Sequence, residues 1–430
     1  MRKINDNLAS QQTFKSYLFL WVGQLFSILG SSITQFVIVW WITITTGSTL
    51  ILSIASFIYI LPMTIVIPIA GVLTDKLNRK KIIVVVDSFQ AFITLIIILL
   101  FNFEMATPTL IIAINGLLGL FQGFHIPTVN AVIPTMVPKD KLSRMNGVNF
   151  LFSSFLHTIG PIMAAMFLSF IPIKAILWID PITFLLALIP LLMISIPSIK
   201  TETPLIKKNS FIEDFKIGFR TLKLIPIILM MLLVSMFVNF LWRPFSILMP
   251  YFVGFDHSGS VSDLAFVLAF LNGGMLLGAF IASFKKEWKH GTTIFFMGEF
   301  TLMLAYAIIA ISPYGLFLQM SIGAAIFGFM VPILNTIYLT IMQIKVPADK
   351  MGRISSIDYA ISMAISPIGT IISGPLAELF GVANLFLYCA IIGMVITIIL
   401  WWIAHVRIIK NNKGKELEKI ELGIDKSLTD

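Results

Sequence analysis

The sequence predicts an all-α membrane protein with twelve transmembrane helices, arranged as two pseudo-symmetric six-helix halves. Three observations lead to this fold class. Hydrophobic residues make up 58% of the 430 residues and charged residues only 12%, whereas a soluble domain carries roughly 25% charged residues. Long apolar runs recur about twelve times, each near the ~20 residues that cross a bilayer as a helix. Two stretches in the first half of the chain also recur in the second half.

The predicted helices follow these apolar runs, which lack the alternation of barrel strands. The first six lie near 17–42, 50–73, 82–101, 109–134, 145–170 and 174–196. The second six lie near 226–252, 262–284, 292–312, 314–341, 354–378 and 381–404. The first run is too long for the apolar region of a signal peptide, so we expect it to remain as helix 1.

The basic residues predict the orientation of these helices. With twelve spans, both termini and every even-to-odd loop share one side of the membrane, and these segments hold 28 of the 30 Lys and Arg residues. Only Lys174 and Arg243 lie elsewhere. Because basic residues are retained on the cytoplasmic side of short loops, we expect a multi-pass protein of the cell membrane with both termini in the cytoplasm. The net charge of +9 is thereby explained by topology, and nucleic-acid binding is not expected.

The internal repeat predicts the division into halves. GFHIPTVNAV (123–132) recurs as GFMVPILNTI (328–337), with Gly, Phe, Pro and Asn in register, and VPKDKLSR (137–144) recurs as VPADKMGR (346–353). We therefore expect the following units: an N-terminal half at 1–196, a cytoplasmic linker at 197–225, a C-terminal half at 226–404 and a cytoplasmic tail at 405–430.

Two related halves favour a secondary transporter rather than an enzyme. A site between the halves at the bilayer midplane opens to either side as they rock. No G-x-x-x-x-G-K-[ST] motif occurs, so an ion gradient is the expected source of energy. The one cysteine, Cys389, excludes an intramolecular disulfide and a multi-cysteine metal site, and neither a metal nor a cofactor is expected. A sensor or a membrane enzyme is disfavoured because the short loops leave little room for a soluble catalytic site.

Polar residues within the apolar runs are candidates for lining a central cavity. They recur at helical spacing on helices 1, 4 and 7. The candidates are Gln24, Ser27, Ser31, Gln35, Asn115, Gln122, His125 and Asn239. The alternative interpretation is helix–helix packing by small and polar side chains, which is common in membrane bundles.

Three charged residues inside apolar runs are further candidates, because charge within a bilayer is costly and is usually functional or paired. Asp180 is a candidate for taking up and releasing a proton, or it is a paired structural acid. Arg243 is interpreted as binding an anion, neutralising an acid such as Asp180, or extending outwards. Glu299 is a third buried charge. Asp87 and Asp358 are expected in the first turns of helices 3 and 11, where the helix dipole stabilises a carboxylate.

Two motifs carry a resemblance to a known family. GVLTDKLNRKK (71–81) resembles the loop signature G-x-L-a-D-r-x-G-r-k of the major facilitator superfamily. Asn78 replaces its second glycine, and the matching residues are Gly71, Leu73, Asp75, Lys76, Arg79 and Lys80. GPIMAA (160–165) resembles the antiporter signature G-P-x-x-G-G through Gly160 and Pro161. WVGQ (21–24), FHIPTVNAVIPTMVP (124–138) and NGGMLLG (272–278) are similar to the macrolide-efflux branch of drug:proton antiporters.

The resemblance implies a monomeric efflux transporter in the lipid bilayer that exports amphiphilic, macrolide-like compounds in exchange for protons. It implies that the loop at 71–81 closes the cytoplasmic side through Asp75 and Arg79, whereas a loop that only fixes topology would need neither Asp75 nor Gly71. Many relatives carry a coupling Arg in helix 4 before a Q-G pair. Here Leu118 and Gly119 occupy that region, which leaves the coupling residue open. The alternative function is a carrier of an anionic metabolite or lipid that Arg243 recognises.

Overall fold

The computed structural model describes residues 11–197, 225–285, 288–346 and 348–421. These residues are almost entirely helical and contain no strand. The first half comprises α1 (Gln11–Thr46), α2 (Thr49–Lys76), α3 (Arg79–Asn102), α4 (Pro108–Met136), α5 (Lys139–Leu168) and α6 (Ile179–Met193), with a single helical turn at Ile173–Ile176 before α6. The second half comprises α7 (Pro226–Tyr251), α8 (Val261–Phe284), α9 (Gly291–Ala310), α10 (Phe317–Lys345), α11 (Ala348–Phe380) and α12 (Val382–Glu421).

The predicted twelve-helix fold class is confirmed. Within the described residues, eleven segments are long and apolar enough to cross a membrane, and a shorter apolar stretch at Ile365–Phe380 belongs to α11. A π-helical turn, Phe252–Asp256, extends α7. Most of the predicted linker and the end of the predicted tail lie outside the described residues.

The helix boundaries follow from local chemistry. Asn78, the residue that departs from the loop signature, caps α3: its side-chain Oδ1 accepts a hydrogen bond from the Lys81 N–H at 3.2 Å. Ser260 and Asp263 form a reciprocal capping box at the start of α8. Each cap satisfies a backbone N–H that the first helical turn leaves without a partner. Polar residues therefore fix the positions at which α3 and α8 begin.

The two ends of the helical bundle differ in charge. We call the end that holds Lys15, the α2–α3 and α4–α5 connections and Lys285 the basic side. The opposite side holds the connections α1–α2, α3–α4 and α5–α6, together with their counterparts in the second half. Because successive helices run in opposite directions, the described cations Arg79, Lys141 and Lys289 also lie at the basic side.

The paired glycines of the repeat, Gly123 and Gly328, occupy equivalent positions in the two halves. Gly123 on α4 faces α2, where an added Cβ would lie 2.8 Å from the Met63 carbonyl oxygen. Gly328 on α10 faces α8, where an added Cβ would overlap the Leu271 carbonyl oxygen. Small residues allow membrane helices to approach this closely. Both copies of the repeat therefore have a glycine where two helices nearly touch.

The halves meet on the opposite side of the bundle. There α2 packs against α11 and α5 against α8. Thr49 Oγ1, at the start of α2, donates a hydrogen bond of 3.3 Å to the Gly374 carbonyl near the end of α11. The α7–α8 connection also approaches α1, with Gly254 beside the ring of Trp40. These contacts join the two halves at the end remote from the basic side.

The interiors of the two halves are chemically different. The second half contains an aromatic cluster on α7, α9, α10 and α12, in which Trp242 stacks on Phe327 with ring centroids 3.5 Å apart. Phe245, Tyr306 and Phe386 pack around this pair. The first half instead contains a group of hydrogen-bonded polar side chains, which lies next to a cavity between the halves.

Candidate transport cavity

A cavity of about 560 Å³ lies between the halves. The first half supplies most of its wall, from α1, α4 and α5 together with Tyr59 and Gln90. The second half contributes five residues near its opposite-side ends, namely Ser246, Met249, Pro250, Leu264 and Leu268. The wall combines aromatic and aliphatic side chains with hydroxyl, amide and imidazole groups, so it offers both apolar contact and hydrogen bonds to an occupant.

Five of the predicted cavity residues line this space: Ser27, Ser31, Gln35, Gln122 and His125. Gln24 lies deeper, in an adjoining recess of about 40 Å³ that it shares with His125. Asn115 is only 2% exposed, and Asn239 is exposed and donates to the Ser235 carbonyl of its own helix at 2.8 Å. Neither of these two asparagines is among the described residues that line the cavity.

Asp180 lies directly behind the cavity wall. It is 8% exposed and accepts two hydrogen bonds, one from Ser31 Oγ to Oδ1 at 2.8 Å and one from Thr94 Oγ1 to Oδ2 at 2.7 Å. Its position in the first turn of α6 places the carboxylate near the positive end of the helix dipole. Because Ser31 also lines the cavity, its hydroxyl lies between the Asp180 carboxylate and the cavity.

A second buried carboxylate, Asp87, lies beside His125. Asp87 is 4% exposed, and its Oδ1 is 3.3 Å from His125 Nε2. Gln24 Nε2 donates to Asp87 Oδ2 at 3.5 Å, and Gln24 Oε1 is 3.2 Å from the same His125 nitrogen. The sequence predicted Asp87 in the first turn of α3. Because α3 begins at Arg79, Asp87 lies in the third turn instead.

Two further hydrogen bonds involve Gln90 of α3. Gln90 Nε2 donates to Gln122 Oε1 at 2.9 Å, and the Thr94 hydroxyl that binds Asp180 also lies 3.1 Å from the Gln90 carbonyl. We call the group formed by these side chains the first-half polar cluster. Its members are Gln24, Ser31, Asp87, Gln90, Thr94, Gln122, His125 and Asp180. It spans four helices of the first half, and four of its members also line the cavity.

The charged candidates of the second half lie away from this cavity. Glu299 on α9 is 4% exposed; Ser235 Oγ donates to its Oε1 at 3.5 Å, and among the described residues its Oε2 has no hydrogen-bond partner. Arg243 on α7 is half-buried, with its aliphatic portion against Gly369 of α11. Neither side chain is among the described cavity-lining residues.

The described residues of the loop signature connect helices within the first half. Arg79 Nη1 donates to the Ala131 carbonyl of α4 at 2.9 Å. Lys80 Nζ donates to the carbonyls of Leu192 and Ile194 at 2.7 and 2.6 Å, at the end of α6. Gly71 and Leu73 belong to the last turns of α2. The side chains of Asp75 and Lys76 lie outside the described part of the chain.

The predicted helix-5 motif lies at the contact of α5 with α1 and the cavity. Gly160 faces Ser32 of α1. Pro161 lines the cavity next to His157, one turn before it. A proline within a helix removes one backbone hydrogen bond and favours a bend. The motif therefore combines close helix packing with a proline inside α5 at the cavity wall.

Sequence reasoning missed the partnership of Asp87 with His125. Asp87, Gln90 and Thr94 are spaced i, i+3 and i+7, which places them on one face of α3. That spacing was a usable signal, since three polar residues on one face of a membrane helix are expected to meet other polar groups.

Comparisons with known proteins agree with this architecture. The family model of the Major Facilitator Superfamily matches residues 20–367. The chain is 29% identical to macrolide efflux protein A of Streptococcus pyogenes over 394 residues, which cover 90% of this chain and 96% of that protein. It is 22% identical to the multidrug efflux pump Tap of Mycolicibacterium fortuitum over 365 residues, 83% of this chain and 88% of the pump.

Solved structures share the same fold. A bacterial homologue of the iron transporter ferroportin, crystallised in an inward-facing state, superposes with a TM-score of 0.70 at 13% sequence identity. The match covers 90% of this chain and 98% of that one. The twelve helices, the duplicated close contact at Gly123 and Gly328 and the match to the family model lead to one conclusion. The chain is a membrane transporter that belongs to the Major Facilitator Superfamily.

Proposed function

We propose that this transporter exports amphiphilic, macrolide-like compounds across the cell membrane in exchange for protons. The names of the relatives, macrolide efflux protein A and multidrug efflux pump Tap, support export of such compounds. The cavity wall supports an amphiphilic cargo, because Phe36 and Trp40 offer apolar surface beside the hydrogen-bonding groups of Ser31, Gln122 and His125.

The observation that carries the proton coupling is the hydrogen bond from Ser31 to Asp180. An ionised Asp180 accepts both the Ser31 and the Thr94 hydroxyl. When the carboxylate takes up a proton, it loses its charge and one of its acceptor positions. While Asp180 is ionised, the Ser31 hydroxyl donates to it and the Ser31 oxygen can accept a hydrogen bond from a donor group of the cargo. The protonated acid instead donates its own O–H to that oxygen. Proton and cargo therefore compete for the same hydroxyl, which is the requirement for exchange.

Alternating access completes the proposed cycle. The halves join on the opposite side through α2–α11 and α5–α8. If the basic side faces the cytoplasm, as the distribution of Lys and Arg favours, this arrangement receives cargo from the cytoplasm. Rocking of the halves about the cavity then opens the opposite side. The cycle needs a single chain, so we propose that the monomer is sufficient and that both termini are cytoplasmic.

The alternative function, a carrier of an anionic metabolite or lipid, depends on a cation that faces the cargo. Among the described lining residues there is no Lys or Arg, and Arg243 lies against α11 instead. The geometry therefore favours the amphiphilic, macrolide-like cargo.

The test is transport into proteoliposomes with an acidic lumen, in which protons leave as cargo enters. We expect a labelled macrolide to accumulate above the level in protein-free vesicles, which measures passive trapping of a weak base. A protonophore should remove the difference. Accumulation of an anionic compound with no accumulation of any amphiphilic drug would contradict the proposal and favour the alternative.

A further inference from the structure

A groove of about 320 Å³ lies between the basic-side ends of α1 and α5, outside the transport cavity. Its apolar wall consists of Phe14, Leu18 and Trp21 from α1 and of Met145 and Val148 from α5. The α1 residues are spaced i, i+4 and i+7, so they share one face, and this face continues toward α5. Its volume and its five apolar lining residues suit a flexible hydrocarbon chain.

Two cations stand over this apolar wall. Lys141 and Arg144 line the groove from α5 and lie one turn apart. The Lys141 ammonium is 4.8 Å from the centre of the Phe14 ring and donates to Gln11 Oε1 at 2.9 Å. These two contacts position the ammonium at the basic-side end and use one of its three N–H donors. Arg144 is exposed, with its guanidinium available for a planar, two-oxygen contact.

The floor of the groove is fixed. Trp21 Nε1 donates to Asn149 Oδ1 at 2.9 Å, and the edge of the Trp21 ring meets Phe152 with centroids 5.2 Å apart. The local charge favours an anion. Lys15 on α1 is exposed next to Phe14, and the exposed Asp140 lies about 100° around α5 from Lys141. The groove thus combines an apolar wall with positive charge at the basic side of the bundle.

We propose that this groove binds one anionic phospholipid, with its phosphodiester between Lys141 and Arg144 and an acyl chain along Phe14, Leu18 and Val148. Basic pockets between membrane helices recognise acidic lipid headgroups in this manner. Arginine binds a phosphate through two parallel hydrogen bonds, and lysine adds a point charge. The proposal is independent of the cargo and of proton coupling, since neither cation lines the transport cavity.

The test is native mass spectrometry of the purified full-length protein, titrated with phosphatidylglycerol or with phosphatidylcholine of the same acyl chains. We expect a first phosphatidylglycerol to bind more tightly than phosphatidylcholine. Since each cation near a membrane surface contributes about 1 kcal/mol, the double variant Lys141→Gln, Arg144→Gln should bind it about 30-fold more weakly. The matched control, Lys289→Gln with Lys345→Gln, removes two exposed basic-side cations outside the groove and should retain binding.

A second variant separates the groove from surface charge. Val148→Trp fills the groove and keeps both cations, so it too should lose the first phosphatidylglycerol, while its melting temperature in lipid-free detergent should stay close to that of the wild type. Equal weakening by the control pair, or unchanged binding in Val148→Trp, would overturn the proposal. So would equal binding of phosphatidylcholine, or displacement of the lipid by soluble glycerol phosphate, which would point to a phosphate site without lipid.

Discussion

Replacement of Asp180 by Asn tests the proposed coupling directly, because it keeps the shape of the side chain and removes its charge. In the structure Asp180 accepts hydrogen bonds of 2.8 and 2.7 Å from Ser31 and Thr94. Hydrogen bonds to a charged group contribute about 1.5–3 kcal/mol, against about 0.5–1.5 kcal/mol for neutral pairs. The change from charged to neutral bonds should therefore lower the free energy of unfolding by about 2 kcal/mol, which leaves a folded protein.

The effect on transport should be much larger than the effect on stability. A difference of about 1 pH unit stores about 1.4 kcal/mol per proton, so one-for-one exchange supports about tenfold accumulation of the cargo. Asp180→Asn has no proton to exchange at this position. We expect its accumulation ratio in proteoliposomes to fall to about 1, while downhill movement of the cargo continues.

Glu299→Gln is the matched control for this experiment. Glu299 is also a buried acid, at 4% exposure, but it lies in the second half and does not line the cavity. We expect this variant to keep the wild-type accumulation ratio. Retention of uphill transport by Asp180→Asn at several pH values, or its loss in Glu299→Gln alone, would refute the assignment of coupling to Asp180.

Three further predictions concern stability, measured as melting temperature in detergent. Gly328→Leu should destabilise the protein by about 3 kcal/mol, because its side chain overlaps the Leu271 carbonyl; an unchanged melting temperature would contradict the close packing. Lys80→Met should cost about 1 kcal/mol by removing the ammonium from two partly solvated carbonyls at the end of α6. His257 Nδ1 accepts a hydrogen bond from the Gly315 N–H, and burial lowers the pKa of His257. The neutral imidazole therefore stabilises the fold above the pKa that His257 has in the unfolded chain. This stabilisation is lost as pH falls through the pKa that His257 has in the folded protein. The wild type should therefore lose stability on acidification more than His257→Gln does, and parallel pH profiles would exclude this role.

Hydropathy and the repeat were sufficient to predict the fold. Long uncharged runs specify membrane helices because an unpaired backbone polar group is costly in lipid. The repeated Gly123 and Gly328 then indicated the two halves, since each glycine sits where two helices nearly touch.

The candidate site was only partly predictable. The spacing of Ser27, Ser31 and Gln35 depends on one helix, and these residues do line the cavity. The contacts of Asp180 join residues 86 and 149 positions apart along the chain. Such contacts depend on the rotation and register between helices, which packing decides and a periodic pattern does not contain. Asn239 was predicted to line the cavity from the polar face of its helix, but it is not among the described lining residues. The spacing of polar residues along one helix does not specify which neighbouring helix or cavity that face meets.

Paired distance measurements show whether the two halves pivot about the cavity. Cys389, the only cysteine, is buried, so spin labels placed at Thr45 and Leu379 would report the opposite side, and labels at Leu77 and Ile344 the basic side. All four positions are exposed. We predict that a change of pH or addition of cargo lengthens the first distance and shortens the second. Unchanged distances in both pairs under every condition, or a change of both in the same direction, would contradict pivoting of the halves.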